Sequence, residues 1–211
     1  MAKLPNTPDL KRLRELPPSL ISLPRGTALH RVYRRAGGYP TLWNDFRYYG
    51  PIARFDHHRR DDKGRAHEQA RGILYFALDI PTALAEVFQE RRTVNRTDSQ
   101  PWLVSIKLAN SLSLLNLTDT FCAQAGGSMK LVSGPFVYAQ NWSRSFYERY
   151  EGIHGLYYPS SLTNRPAVAL YERALDAGPF PETPRFHRQL SDPLLIEPLR
   201  NASRQIGYDF L

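Results

Sequence analysis

Nine arginines fall between positions 25 and 65: Arg25, Arg31, Arg34, Arg35, Arg47, Arg54, Arg59, Arg60 and Arg65. A guanidinium presents a planar fork of donors that grips phosphate or carboxylate oxygens in pairs, which a lysine ammonium does less well. The chemistry on offer is recognition of an anion, whether nucleic acid, a phosphorylated metabolite or an acidic protein. In the same stretch His57, His58, His67, Asp56, Asp61 and Asp62 are of metal-ligating types. They lack the Cys pairs, or the His residues four apart on a helix, that ordered metal sites use, so no metal site is expected. Cys122, between Phe121 and Ala123, carries no nucleophile signature and reads as a small buried hydrophobe. Neither Gly37-Gly38 nor Gly126-Gly127 belongs to a phosphate-loop pattern.

These groups sit on a chain of 211 residues with 42% apolar and 23% charged residues, enough for one domain with a well-buried core. The formal charge of +8 is unevenly placed. Residues 1–70 hold 14 Lys or Arg against 7 Asp or Glu, while residues 71–211 hold 14 against 13. The basic excess thus belongs to the N-terminal third, where the anionic partner is expected. One cysteine cannot form an internal disulfide, and no secretory signal is legible at the N-terminus, so a cytoplasmic protein is expected. The longest apolar run, Gly72 to Leu78, is far shorter than the roughly 20 residues of a membrane-spanning helix. Collagenous, coiled-coil and disulfide-stapled classes are excluded by composition.

The elements that must position the chemistry follow from periodicity. Leu10, Leu13 and Leu16 recur at helical spacing before Pro17-Pro18 ends a short docking helix. Residues 27–33 read as a strand, and Arg34 to Gly50 as a long irregular loop. His57 to Arg71, dense in charge, is expected to be a solvated insertion or flap without fixed structure. Gly72 to Leu78 reads as a buried strand, and Asp79-Ile80-Pro81-Thr82 opens a helix through Arg92. Strands are expected over 102–108, 112–117, 155–158 and 167–171, with a helix over 143–151. From Asp176 the Pro-rich chain is expected to wrap the surface as an arm with one helical stretch near residue 200. The reading is a mixed α+β domain with flanking helices, organised as an N-terminal extension (1–26), a catalytic domain (27–175) and a C-terminal arm (176–211) packed on it.

Several pieces come in a particular order. Arg31 stands in a strand, Arg54-Phe55-Asp56 follows Gly50-Pro51, and Leu74-Tyr75-Phe76-Ala77 precedes Ala83-Leu84-Ala85-Glu86. The turn His154-Gly155 then leads into Pro159-Ser160. From about Leu29 to about Tyr171 this order resembles the RES domain family, named for its Arg, Glu and Ser. The chain departs from the family pattern at Asp56, where Asn is usual, at the charged stretch 59–71, and at Val32, where some members carry an aromatic residue. The resemblance implies an ADP-ribosyltransferase-like fold with mixed and antiparallel sheets, and an enzyme that consumes NAD⁺ as substrate with no further cofactor. It also implies a toxin neutralised by a small helical antitoxin that occludes the active-site cleft. Whether the chain self-associates stays open.

On that resemblance, Glu86 is the catalytic carboxylate. Cleaving the nicotinamide–ribose bond builds positive charge on the anomeric carbon, and a carboxylate beside it stabilises the oxocarbenium-like state. Arg31 and Arg54 would neutralise the pyrophosphate, Tyr75 would stack on the nicotinamide or ribose face, and Ser160 would bond the ribose or phosphates. Taken without the resemblance, Glu86 reads as a solvated helix glutamate near Arg91, Arg31 and Arg54 as two among many arginines, Tyr75 as a core tyrosine and Ser160 as a turn serine. Water, inorganic phosphate and a protein side chain all remain as acceptors.

Two other readings are compatible with the sequence. The arginines of the first third are interleaved with Tyr33, Tyr39, Trp43, Phe46, Tyr48 and Tyr49, the materials of a single-strand nucleic-acid platform. They lie in one loop instead of along strands, and carry no recognised nucleic-acid-binding motif. A Pro-rich arm and an apolar N-terminal helix also suit a partner-docking protein, which the enzyme reading accommodates.

Overall fold

Asp9 accepts hydrogen bonds from the amides of Lys11 and Arg12 and so caps α1 (Leu10–Glu15), whose buried Leu13 seats it on the domain. The computed structural model describes residues 5–211, so positions 1–4 of the expected N-terminal extension lie outside the described residues. After α1 come β1 (Leu20–Leu23), β2 (Ala28–Arg34) and β3 (Arg47–Gly50). Then β4 (His67–Ala77) runs for eleven residues, and Asp79 caps α2 (Ile80–Phe88) by accepting the Thr82 amide at 2.8 Å. The chain continues through β5 (Thr93–Val94), β6 (Pro101–Lys107), β7 (Leu112–Asn116), two short helices α3 (Phe121–Gln124) and α4 (Lys130–Ser133), and α5 (Phe136–Arg149). The last elements are β8 (Gly155–Pro159), β9 (Pro166–Tyr171), β10 (Phe186–Gln189), α6 (Ile196–Gln205) and β11 (Asp209–Phe210).

One large sheet has the order β1-β7-β8-β9-β4-β2-β6-β10, with β3 paired to β4 off this path. All its pairs are antiparallel except β7 with β8. A second, two-stranded sheet pairs β5 with β11 in parallel. Three apolar clusters fill the faces. The first packs α5 and α1 on one side of the sheet through Trp142, Phe146, Phe121 and Leu13. The second lies around Leu29, Leu74, Val104 and Leu114, and the third joins α2 to α6 through Leu84, Phe88 and Leu199. With helices gathered against a mostly antiparallel sheet, the chain is a single α+β domain.

The segment from His57 to Arg71 is solvated only in its middle: Arg59, Arg60 and residues 62–65 are exposed, whereas His57 and His58, like Asp56 before them, are fully buried, at 0% exposure, and β4 begins at His67, inside the supposed insertion. Gly50 makes room for this turn, since a Cβ there would stand 2.6 Å from the His58 ring. The C-terminal segment also departs from a simple surface arm: β10 joins the large sheet beside β6, and α6 supplies Leu199 and Ala202 to the core.

Candidate active site

A cleft of about 370 Å³ opens where β2, β4 and α2 meet the 51–56 turn and the start of α5, a size suited to a small-molecule ligand. Its walls include Arg31, Arg47, Arg54, Tyr75, Glu86, Phe136 and Tyr158. Four of the five candidate residues read from the sequence, Arg31, Arg54, Tyr75 and Glu86, therefore line one cavity.

Glu86 stands on α2 one turn after Ala83, which also lines the cleft, and across the helix from the buried Leu84 and Phe88. It is half-buried and has no ion pair with Arg91. Burial raises its pKa, while the Ser160 hydroxyl and the charge of Arg54 act in the opposite sense and favour the carboxylate. Ser160 itself is buried, at 2% exposure, and also accepts the Leu162 amide at 3.2 Å. Ser161 of this turn is among the residues that line the cleft, and the Ser160 hydroxyl bonds the Glu86 carboxyl, which lines the cleft as well.

Arg31 leaves β2 and donates through Nη1 to the carbonyls of Leu42 at 3.2 Å and Trp43 at 2.9 Å. Burial lowers its pKa to about 10, which leaves it charged at neutral pH. Arg54 is aimed by two contacts: Nη1 donates to the Gly134 carbonyl at 2.6 Å, and the guanidinium lies 4.6 Å from the Phe136 ring centroid. Tyr75, from β4, has its hydroxyl occupied. It donates to Asp56 Oδ1 at 2.8 Å and accepts the Phe55 amide at 3.1 Å. Only its ring is offered to a ligand.

Three cleft residues, Arg47, Tyr158 and Phe136, were not singled out from the sequence. Tyr158 lies inside the strand motif before Ser160, and Phe136 follows Gly134-Pro135, a helix-start signal. Arg47 had no signal beyond being one arginine among many.

Behind the cleft runs a buried polar group. Asp56 accepts Arg47 Nη2 at 2.7 Å on Oδ1, and the amides of Ile52 and Ala53 at 2.6 and 2.9 Å on Oδ2. Burial opposes its charge, but Arg47 and the two amides prevail and hold its pKa below the ordinary value. His57 Nε2 lies 3.1 Å from Glu172 Oε2, and Glu172 also accepts the Gly72 amide and the Tyr147 hydroxyl. His57, His58 and Asp56 were weighed above as metal ligands. Among the described residues no three His, Cys, Asp or Glu side chains are grouped to hold a metal ion. Cys122 is buried, and burial pushes its thiol pKa up to about 12, far from a nucleophilic thiolate.

The six aromatic residues of the Arg-rich third do not form one stacking face. Tyr33 and Phe46 are core residues, and Trp43 packs edge-on against Phe180. Among the described residues no helix is long and apolar enough to cross a membrane.

Fold and cleft together define a domain that holds a half-buried carboxylate and three arginines on the walls of one cavity. Residues 28–191 match the family of RES domains, and the chain belongs to that family. Among solved structures it is similar to a chain of the M. tuberculosis MbcT-MbcA toxin-antitoxin complex, with a TM-score of 0.59 and 15% sequence identity over 91% of this chain and 96% of the other. That likeness is one of fold. No curated protein matches the sequence.

Proposed function

We propose that this protein is the toxin-like enzyme of a toxin-antitoxin pair and cleaves the nicotinamide–ribose bond of NAD⁺. The observation that carries the reading is Glu86, a half-buried carboxylate with Ser160 behind it and Arg54 on the same cleft wall. The anomeric carbon gains positive charge as the bond to nicotinamide breaks, and a preorganised carboxylate in a partly water-excluded cleft stabilises that charge more than bulk water does. Arg31 and Arg54 provide two fixed cations for the pyrophosphate, and the Tyr75 ring provides a flat apolar wall for the nicotinamide or ribose. Ser160 keeps Glu86 oriented and favours its ionised form.

Membership of the RES family and the likeness of fold to a chain from a toxin-antitoxin complex support an antitoxin partner. The test is incubation of purified protein with NAD⁺, with and without inorganic phosphate, followed by mass analysis of the nicotinamide and sugar products. Release of nicotinamide with ADP-ribose marks water as the acceptor, and a phosphorylated sugar marks phosphate. Transfer of label from NAD⁺ to lysate protein marks a side chain. Absence of nicotinamide release under all three conditions contradicts the reading.

A further inference from the structure

We propose that Asp56 is a positioning residue, whose carboxylate sets the cleft by holding the Tyr75 hydroxyl, Arg47 and the 52–56 turn in one arrangement. The inference rests on the NAD⁺ reading only for its kinetic test.

Asp56 receives four hydrogen bonds and has no exposed surface. On Oδ1 it takes Tyr75 Oη at 2.8 Å and Arg47 Nη2 at 2.7 Å; on Oδ2 it takes the amides of Ile52 and Ala53. Every one of these partners is a donor, and only a carboxylate accepts from all four at once. An asparagine of the same shape, though usual in the family at this position, would in this chain turn its own N–H₂ toward two of these four donors, whichever way it faced.

Three of the linked residues, Arg47, Ala53 and Tyr75, line the cleft, and so does Arg54 between Ala53 and Asp56. Tyr75 closes the loop by accepting the Phe55 amide at 3.1 Å, so Phe55 and Asp56 are tied to this strand residue while Ile52 and Ala53 are tied to Asp56. Outside the cleft the turn is gripped again: the Ala53 carbonyl accepts Gln140 Nε2 at 3.0 Å and the Phe55 carbonyl accepts Ser143 Oγ at 2.6 Å, both from α5. The distances place Asp56 at the junction of β3, β4 and this turn. It touches no ligand position directly, and acts through the Tyr75 ring and through the direction in which Arg54 leaves the turn.

The test compares wild type, Asp56→Asn, Tyr75→Phe and the double variant. The kinetic arm reads kcat and KM for NAD⁺ loss, and the second arm reads amide hydrogen exchange across residues 50–56 without any ligand. For Asp56→Asn, kcat/KM is expected to fall by about 100-fold, as misplacement of a reacting group by a fraction of a bond length does. In the Tyr75→Phe background the same change is expected to cost much less, because the two act through one contact. The Ile52, Ala53 and Phe55 amides are expected to exchange faster in Asp56→Asn, and Phe55 alone in Tyr75→Phe.

Activity of Asp56→Asn equal to wild type overturns the inference and leaves the NAD⁺ reading standing. An equal loss in both backgrounds reduces Asp56 to a general structural part and also overturns it. If wild type consumes no NAD⁺, the reaction reading fails by itself and the exchange arm decides: unchanged exchange at Phe55 in Tyr75→Phe, a variant that keeps Asp56 and its buried charge partner, overturns the positioning role.

Discussion

The guanidinium of Arg54 lies 4.6 Å from the ring centroid of Phe136 while its Nη1 donates to the carbonyl of Gly134. A planar group is thereby fixed on both a face and an edge, which a flexible ammonium cannot reproduce. Arg54→Lys keeps the charge and is still expected to weaken NAD⁺ binding, raising KM by about tenfold for loss of one charge-assisted contact. Steady-state kinetics check this, and a KM equal to wild type would remove Arg54 from the binding role.

Arg31 lies 5.7 Å from the ring centroid of Tyr33, and its two backbone contacts hold it where burial alone would disfavour its charge. Arg31→Ala is expected to raise KM by roughly 10- to 100-fold with kcat less affected, since a pyrophosphate contact is made in ground and transition states alike. A loss confined to kcat would contradict a role in binding.

Ser160 acts on Glu86 from behind. The proposed reaction needs Glu86 ionised, burial raises its pKa, and the Ser160 hydroxyl lowers it again. Activity is present above the Glu86 pKa and falls away below it, so removing the hydroxyl moves the acid limb of the profile upward. Ser160→Ala is expected to show that shift in kcat against pH, with activity recovered at the alkaline end. A profile with an unmoved acid limb would separate Ser160 from Glu86.

His58 makes acid a destabilising agent. Its ring is fully buried, both nitrogens lack hydrogen-bond partners, and burial lowers its pKa from 6.5 to about 4. The unfolded chain binds the proton near pH 6.5 and the folded chain does not until near pH 4, so this contribution is intact above pH 6.5 and is lost as pH falls through that window. A shift of that size corresponds to about 3 kcal/mol at most. His57 is shifted in the same direction by burial, against the pull of Glu172. Melting temperature should therefore drop as pH falls from 6.5 to 4, and His58→Phe, which fills the space without a titrating group, should flatten the slope. An unchanged slope would place the acid sensitivity elsewhere.

The fold was readable where one element carried both a period and a punctuation. Asp79 ahead of Pro81 and the apolar face of Ala83, Leu84 and Phe88 announced α2, and Glu86 with it. The strands over 102–108, 112–117, 155–158 and 167–171 lie within a residue or two of their observed ends. Within 57–71 the middle is exposed as its composition suggests, but the two ends are anchored by residues far away in sequence. His57 meets Glu172, and Arg59 and Arg71 meet Glu148, each at 2.7 Å. Composition sees polarity, and burial of a polar group depends on a partner that only the fold supplies. The same limit applies to the turn after Pro159, since the proline marks a bend without saying which of the two serines lines the cleft.

The proposed role of Glu86 in NAD⁺ cleavage is decided by nicotinamide release from Glu86→Gln measured beside wild type. Glutamine keeps the shape of the side chain and removes its charge, so both proteins should melt as folded domains with similar exchange protection across α2. Wild type is expected to release nicotinamide rapidly and Glu86→Gln at least about 1,000-fold more slowly, near the upper end of the scale on which removal of transition-state electrostatic stabilisation acts. Equal release by the two proteins would contradict that role.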